Sequence, residues 1–218
     1  MDLPTSDIIK LWFGIDRFNP EQVAARYNIW FRGGKRLDQD IAHRFGVFFS
    51  STPSPFENLS HTALTIDEAL ALTVALDQFP RHIFRSTPGA FAFSSKAIEL
   101  TRSVMTRDDW AWLSPIERVF TLMPLHHSES TTDQTEGLEA LWRLREHAEP
   151  PWHALLNGFL RSFRDHALIV AQFGRFPHRN QILGRPSTQA ERFFLARKPQ
   201  SFGQAHANRG SSRTSPLL

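Results

Sequence analysis

The sequence predicts an all-α fold, arranged as a single domain of about eight or nine helices. Three observations support this prediction: helix-start signals recur along the chain, apolar residues follow a helical spacing, and no β-branched segment alternates with period two between turn residues. We expect helices near residues 8–13, 20–31, 37–50, 65–79, 88–106, 115–129, 132–148, 152–173 and 188–196.

Glycine and proline delimit the first three helices. Gly14 ends the first helix, and Asn19-Pro20 begins the second with proline in the first helical position, where its missing N–H costs nothing. Gly33-Gly34 predicts the end of the second helix. The Ser- and Pro-rich residues 50–60 predict a loop after the third. The third helix has apolar residues at i, i+4, i+7 and i+8, namely Ile41, Phe45, Phe48 and Phe49.

Capping boxes begin three of the later helices. In such a box a hydroxyl accepts a backbone N–H of the first turn, and a glutamate three residues later accepts the N–H of the cap residue. Thr87-Pro88 predicts a further start, while Pro80 and Gly174 predict helix ends. The three boxes are Thr65-x-x-Glu68, Ser114-x-x-Glu117 and Thr188-x-x-Glu191. The helix before Gly174 has one apolar face, formed by Leu156, Phe159, Leu160, Phe163, Ala167 and Val170.

The aromatic content is skewed, with 19 Phe and 6 Trp against a single Tyr. At helical spacing such residues are typical of a packed core, and an aromatic groove for a lipid or peptide is the alternative interpretation. The residues that we expect in the core are Trp12, Phe13, Trp30, Phe31, Phe45 and Phe48.

Composition limits the class of protein. With 218 residues, 41% of them hydrophobic, the chain can bury a sizeable core, and the lack of cysteine excludes disulfides, thiolate zinc sites and a cysteine nucleophile. Residues 1–4 lack the basic-then-apolar order of a signal peptide, and no apolar run approaches the roughly 20 residues that span a bilayer. These features predict a soluble, cytoplasmic protein without a membrane partner.

The positive charge is concentrated at the C-terminus. Residues 198–218 contain three basic residues and no acidic one, which accounts for the formal net charge of +3. Because the remaining chain is neutral, it lacks the basic stripe of nucleic-acid-binding proteins, and no nucleic acid is expected as a partner. We predict a single helical domain over residues 1–204 and a disordered, polar, mildly basic tail over residues 205–218.

Two segments that lie far apart in the chain share one plan. Residues 78–87 and residues 176–188 each combine Phe-Pro, a basic pair, an apolar spacer, a further arginine and a Ser/Thr helix start. If the two turns face one another, they place five arginines around one volume. These arginines are Arg81, Arg85, Arg175, Arg179 and Arg185.

The same segments carry a resemblance to a known family. Leu76-Asp77-Gln78-Phe79-Pro80-Arg81-His82-Ile83-Phe84-Arg85, Pro124-Leu125-His126-His127-Ser128-Glu129 and Phe173-Gly174-Arg175-Phe176-Pro177-His178-Arg179-Asn180 resemble, in this order, the bacterial family called domain of unknown function 924. The resemblance covers about residues 5–204. It implies a single tetratricopeptide-like helical domain, and it brings no established reaction, cofactor or partner.

Planar guanidinium groups at helix ends are suited to hold a carboxylate or a phosphate. We therefore expect a binding module whose Arg/His-rich pocket takes an anionic small molecule or a peptide carboxylate. The candidate ligand-binding residues are Asp77, Gln78, Arg81, Arg85, His127, Glu129, His166, Arg175, His178, Arg179, Asn180 and Arg185.

Two alternatives stay open. In an enzyme, His127 and Glu129, or His178, act as general acid and base on an acidic substrate. In a scaffold, the same motifs only lock helix junctions: the arginines cap carbonyls or pair with Asp77, Glu129 and Asp133, and His166 is a satisfied core residue. No zinc motif is present, so no metal is predicted, and the sequence does not specify a cofactor or an oligomeric state.

Overall fold

The computed structural model describes residues 4–32, 34–50 and 63–197, and every regular element in these ranges is helical. The all-α prediction is confirmed. No helix in these ranges is long and apolar enough to cross a membrane. The α-helices are α1 (Thr5–Phe13), α2 (Pro20–Ala25), α3 (Tyr27–Arg32), α4 (Gly34–Ser50), α5 (Ile66–Asp77), α6 (Phe79–Ile83), α7 (Ser94–Met105), α8 (Pro115–His127), α9 (Thr131–His147), α10 (His153–Phe173) and α11 (Gln189–Arg197).

Each predicted helical segment contains helix, but some are divided. The segment 20–31 breaks at Arg26, whose N–H bonds to the carbonyl of Val23 at 2.9 Å, so that the last turn of α2 tightens. The segment 65–79 also divides near its end, because α5 ends at Asp77 and α6 begins at Phe79. Helix α5 ends before Pro80, which is accepted in the first turn of the short helix α6 because its missing N–H has no partner there.

The segment 88–106 begins with the 3₁₀ turn Pro88–Phe91 and becomes α-helical at Ser94. Thr87 therefore does not cap an α-helix as predicted. The predicted loop 50–60, apart from its first residue, and the predicted tail 205–218 lie outside the described residues. The domain limits stay a prediction for the same reason.

The three predicted capping boxes are confirmed. In each, the glutamate accepts the backbone N–H of the cap residue, at 2.8 Å for Thr65, 2.8 Å for Ser114 and 2.7 Å for Thr188. A second bond runs from the glutamate's own N–H to the cap hydroxyl at Thr65 and at Thr188, at 3.3 and 3.2 Å. Local chemistry therefore fixes the starts of α5, α8 and α11.

Helix α5 lies at the centre of the core. Every residue from Ala69 to Asp77 is buried, and the helix packs against α1, α7 and α8. Aromatic rings surround Phe120 of α8, with ring centres 4.8 Å away for Trp30 and 5.6 Å away for Trp12. Five of the six aromatic residues predicted for the core are buried; the prediction is wrong for Phe31, which is 47% exposed.

Helices α8, α9 and α10 pack in succession, and a glycine allows their close approach. A Cβ atom at Gly137 of α9 would lie 3.0 Å from Cβ of Leu125 in α8 and 3.5 Å from a ring carbon of Phe163 in α10. No larger residue fits there without movement of α8. The tetratricopeptide-like packing that the family resemblance implies stays a prediction.

The C-terminal ends of α5, α8 and α10 meet in one region. Helix α8 ends at Ser128, which has an extended backbone, and α10 ends at Gly174, which adopts a left-handed conformation with φ +67°. The chain then returns through the 3₁₀ turn Pro177–Arg179. This topology positions the three segments that the sequence analysis singled out.

Candidate functional site

Side chains from these three helix ends touch one another and form what we call the junction cluster. His127 contacts Asp77 across the ends of α8 and α5, and Glu129 contacts the backbone N–H of Phe176 after α10. The cluster comprises Asp77, Arg81, Phe91, His127, Glu129, Phe176, Arg179 and Arg185.

Asp77 is the buried carboxylate of the cluster, with only 2% of its surface exposed. It accepts hydrogen bonds from Nδ1 of His127, 2.9 Å from each of its oxygens, and from Arg81 at 3.2 Å. Gln78 donates to it as well. Burial raises the pKa of Asp77, but His127 and Arg81 lower it further, so the pKa lies well below its usual range. Asp77 is therefore ionised at neutral pH.

The carboxylate partner of His127 is Asp77, which corrects the predicted His127–Glu129 pair. The prediction rested on proximity in sequence, but the chain turns away at Ser128 and directs Glu129 towards the segment after α10. Burial and the nearby Arg81 lower the pKa of His127 to about 4 against the opposing effect of Asp77, so the ring is neutral at pH 7. Its Nε2 makes no hydrogen bond with any described residue.

Glu129 closes the junction between the α8–α9 connection and the segment after α10. Its oxygens lie 2.6 and 2.9 Å from the guanidinium of Arg185, and one accepts the N–H of Phe176 at 2.8 Å. Arg185 in turn donates from Nε to Asn180 at 3.1 Å. Burial raises the pKa of Glu129, while Arg185 and the Phe176 N–H lower it below its usual value. Arg185 thus donates hydrogen bonds to both Glu129 and Asn180.

Arg85 and Arg175 have carboxylate partners outside the predicted set. Arg85 pairs with Asp38 of α4 at 2.8 and 2.6 Å, and His82 contacts the same carboxylate at 2.7 Å. Arg175 pairs with the buried Glu191 of α11 at 2.7 and 2.9 Å. Together with the Asp77–Arg81 and Glu129–Arg185 pairs, four of the five predicted arginines bind carboxylates of the protein itself.

Arg179 differs from the other four. Only 7% of its surface is exposed, and its side chain forms no ion pair and no hydrogen bond with the described residues. Its guanidinium lies instead over two aromatic rings, 4.3 Å from the centre of Phe176 and 4.8 Å from that of Phe91. The guanidinium of Arg81 lies 5.4 Å from the same Phe91 ring. Burial and then Arg81 lower the pKa of Arg179 to about 9 against the opposing effects of Glu129 and Asp77, which leaves it protonated at neutral pH.

Three further histidines lie beside the cluster. The His126 ring stacks on Phe163 at 4.2 Å and lies 3.9 Å from that of His166. His166 is buried, and its Nδ1 lies 3.0 Å from the carbonyl of Ser162 in its own helix. Burial and neighbouring charges lower the pKa of His166 and of His178 to about 3 each. These rings are neutral at pH 7 and add no positive charge.

The sequence did not predict a site role for Asp38, Phe91, His126, Phe176 or Glu191. Asp38 is remote in sequence, and no local pattern announces a partner of Arg85. Phe91 lies in a short 3₁₀ turn that gives no periodic signal. The pair His126-His127 at the end of α8 is visible in the sequence, but only His127 is among the predicted site residues. No group of three or more potential metal ligands occurs among the described residues.

Comparison with curated proteins gives no match. Among solved structures, the chain is similar to the protein of unknown function ATU0120 from Agrobacterium tumefaciens, with 27% sequence identity and a TM-score of 0.69. The likeness covers 88% of this chain and 97% of that one. A family described as bacterial protein of unknown function, DUF924, matches residues 8–199. Since that match spans most of the sequence and includes all three segments of the junction cluster, the chain belongs to the DUF924 family.

Proposed function

We propose that the protein is a binding module that holds an anionic group against Arg179. The ligand is an anionic small molecule or a peptide carboxylate. One observation supports this function above all: Arg179 is a buried guanidinium whose side chain has no carboxylate partner among the described residues.

The charges around the junction favour an additional anion. Three ion pairs, Arg81–Asp77, Arg175–Glu191 and Arg185–Glu129, balance internally. The fourth arginine, Arg179, leaves this region with one excess positive charge. The effective cost of removing a charge from water is several kcal/mol, and an ion that binds it offsets part of that cost. A carboxylate or a phosphate matches the planar guanidinium with two parallel hydrogen bonds.

We assign a structural role to the other arginines. Arg85 joins α6 to α4, Arg175 joins the end of α10 to α11, and Arg185 joins two connections through Glu129. This division combines the binding hypothesis with the scaffold alternative. Arg81 belongs to both, because it neutralises Asp77 and also shares the Phe91 ring with Arg179.

An enzyme is the second candidate, and the His127–Asp77 contact favours it. A buried carboxylate that orients a neutral imidazole is the arrangement of a general base. In this form of the hypothesis, Asp77 takes the place of Glu129, and Arg179 orients an acidic substrate. The binding proposal comes first because it needs only a guanidinium that forms no ion pair with the described residues.

The experiment is an anion screen by thermal shift with a charge-matched control. Phosphate, sulfate and small carboxylates are each compared with chloride at equal ionic strength, on the native chain and on Arg179→Met and Arg164→Met. Arg164 is an exposed residue of α10, so both variants remove one positive charge. We expect specific anions to raise the melting temperature of the native chain and of Arg164→Met but not of Arg179→Met. Equal responses of the two variants contradict the proposal.

A further inference from the structure

The contact between His127 and Asp77 fixes which nitrogen of the ring carries the proton. Both oxygens of Asp77 lie 2.9 Å from Nδ1. An ionised carboxylate can only accept hydrogen bonds, so Nδ1 must donate. In a neutral imidazole the other nitrogen, Nε2, then has a lone pair and no proton. His127 therefore offers a hydrogen-bond acceptor and not a donor.

This acceptor is accessible. Nε2 of His127 has no hydrogen-bond partner among the described residues, and 15% of the side chain is exposed. By contrast, Asp77 is enclosed, with 1% of its side chain exposed. A ligand at the junction can thus reach the imidazole but not the carboxylate behind it.

The His127 ring lies near two cations, because Arg81 and Arg179 both lower its pKa. His127 and Arg81 bind the same oxygen of Asp77, at 2.9 and 3.2 Å. Arg81 and Arg179 in turn lie over the same ring, that of Phe91. The imidazole and Arg81 therefore share Asp77 as a partner, and Arg81 and Arg179 share the Phe91 ring.

We propose that the ligand of Arg179 carries a hydrogen-bond donor next to its negative charge. This donor forms a hydrogen bond to Nε2 of His127. The chemical class is a monohydrogen phosphate or a hydroxycarboxylate. This inference rests on the proposed anion-binding function and narrows it. Sulfate and simple carboxylates bear no proton at neutral pH, so their oxygens meet the lone pair of Nε2 with repulsion instead of a hydrogen bond.

Two matched pairs of anions test the donor requirement by isothermal titration calorimetry near neutral pH. Phosphate and sulfate have the same shape but differ in the proton, and glycolate and acetate differ in the hydroxyl. For the native chain we expect phosphate to bind at least about tenfold more tightly than sulfate, and glycolate more tightly than acetate, since an unmatched buried acceptor reduces affinity by that order.

Variants distinguish the contribution of His127 from that of Arg179. In His127→Gln, the amide can present either its oxygen or its NH₂ group, so the ratio between phosphate and sulfate should fall towards one. Arg179→Met should lose both anions, and Arg164→Met should behave as the native chain. Circular dichroism confirms that each variant is folded. Where His127→Gln does not fold, the ratio in the native chain decides.

The outcomes are distinguishable. If phosphate and sulfate bind equally and both depend on Arg179, the donor requirement is overturned while the anion site stands. A native chain that prefers sulfate overturns the requirement as well. If none of the four anions binds at millimolar concentration, the anion site itself is overturned.

Discussion

His127 donates from Nδ1 to both oxygens of Asp77 and thereby fixes the end of α8 to the end of α5. The contact pairs a buried carboxylate with a neutral imidazole. This contact joins two helices that also pack against each other in the core.

Acid should begin to destabilise the protein near pH 6.5, which is above the pH range in which carboxylates titrate. The pKa of His127 falls from 6.5 to about 4 on folding, mainly through burial. Between these values the unfolded chain binds a proton that the folded chain does not, so stability falls as the pH decreases through this window. Each such group contributes up to about 1.4 kcal/mol per pH unit. His166 and His178 add in the same direction.

Urea unfolding at a series of pH values from 8 to 4 measures this slope. His127→Gln should make it shallower. The control is His43→Gln on the exposed side of α4, which should leave the slope unchanged. A stability that stays constant between pH 6.5 and 5 argues against neutral buried histidines.

Arg179→Met should stabilise the protein in the absence of ligand. Methionine retains much of the apolar contact with Phe91 and Phe176 and removes a buried charge that forms no ion pair with the described residues. Burial of a charge without an ion pair costs several kcal/mol, so its replacement by an apolar group of similar size should be neutral or stabilising. Chemical denaturation measures the change, and Arg164→Met should stay within about 0.5 kcal/mol of the native chain. A marked loss of stability would favour a purely structural Arg179.

Glu129→Ala should cost more stability than the same substitution at an exposed ion pair. It leaves the guanidinium of Arg185 and the N–H of Phe176 without their acceptor, and we expect a loss of about 1.5–3 kcal/mol. Glu139 pairs with Arg143 on the surface of α9, so Glu139→Ala should cost less than about 1 kcal/mol. Urea denaturation of both variants gives the comparison; equal losses contradict a special role of the junction.

Two glycine-to-alanine substitutions should act in opposite directions. At Gly137 the new Cβ would lie 3.0 Å from Cβ of Leu125, so the end of α8 must move and stability should decrease. At Gly46 of α4 nothing lies within 4 Å, and alanine should stabilise the helix by about 0.5–1 kcal/mol. Thermal unfolding distinguishes the two. If Gly137→Ala keeps full stability, α8 and α9 do not pack as closely as described.

The sequence could predict those parts of the fold that depend on residues close together in the chain. The capping boxes of Thr65, Ser114 and Thr188 involve residues three apart, so neighbouring atoms alone determine the helix starts. The break at Arg26 carries no such signal: its side chain reaches back to the carbonyl groups of Leu11 and Trp12, which are remote in sequence.

The candidate site was predictable as a set of residues but not as a set of contacts. The arginines stood out because guanidinium groups cluster in two similar segments. Their partners depend on which helix ends meet, and the partner of Arg85 lies 47 positions away. The assignment of Glu129 to His127 failed for the same reason, because the direction of a chain after a helix end is a tertiary property. Only the folded arrangement distinguishes Arg179 from its four paired counterparts.

The Phe91 ring should reduce the entropic cost of binding an anion at Arg179. An aromatic face attracts a guanidinium without using any of its N–H groups. Arg179 is therefore held in place by Phe91 and Phe176, and its side chain forms no hydrogen bond with the described residues. An incoming anion does not have to immobilise a long, flexible side chain, an ordering that costs about 1.5–2 kcal/mol for arginine. For the proposed anion, affinity should therefore be governed by the departure of water and not by rearrangement of the protein.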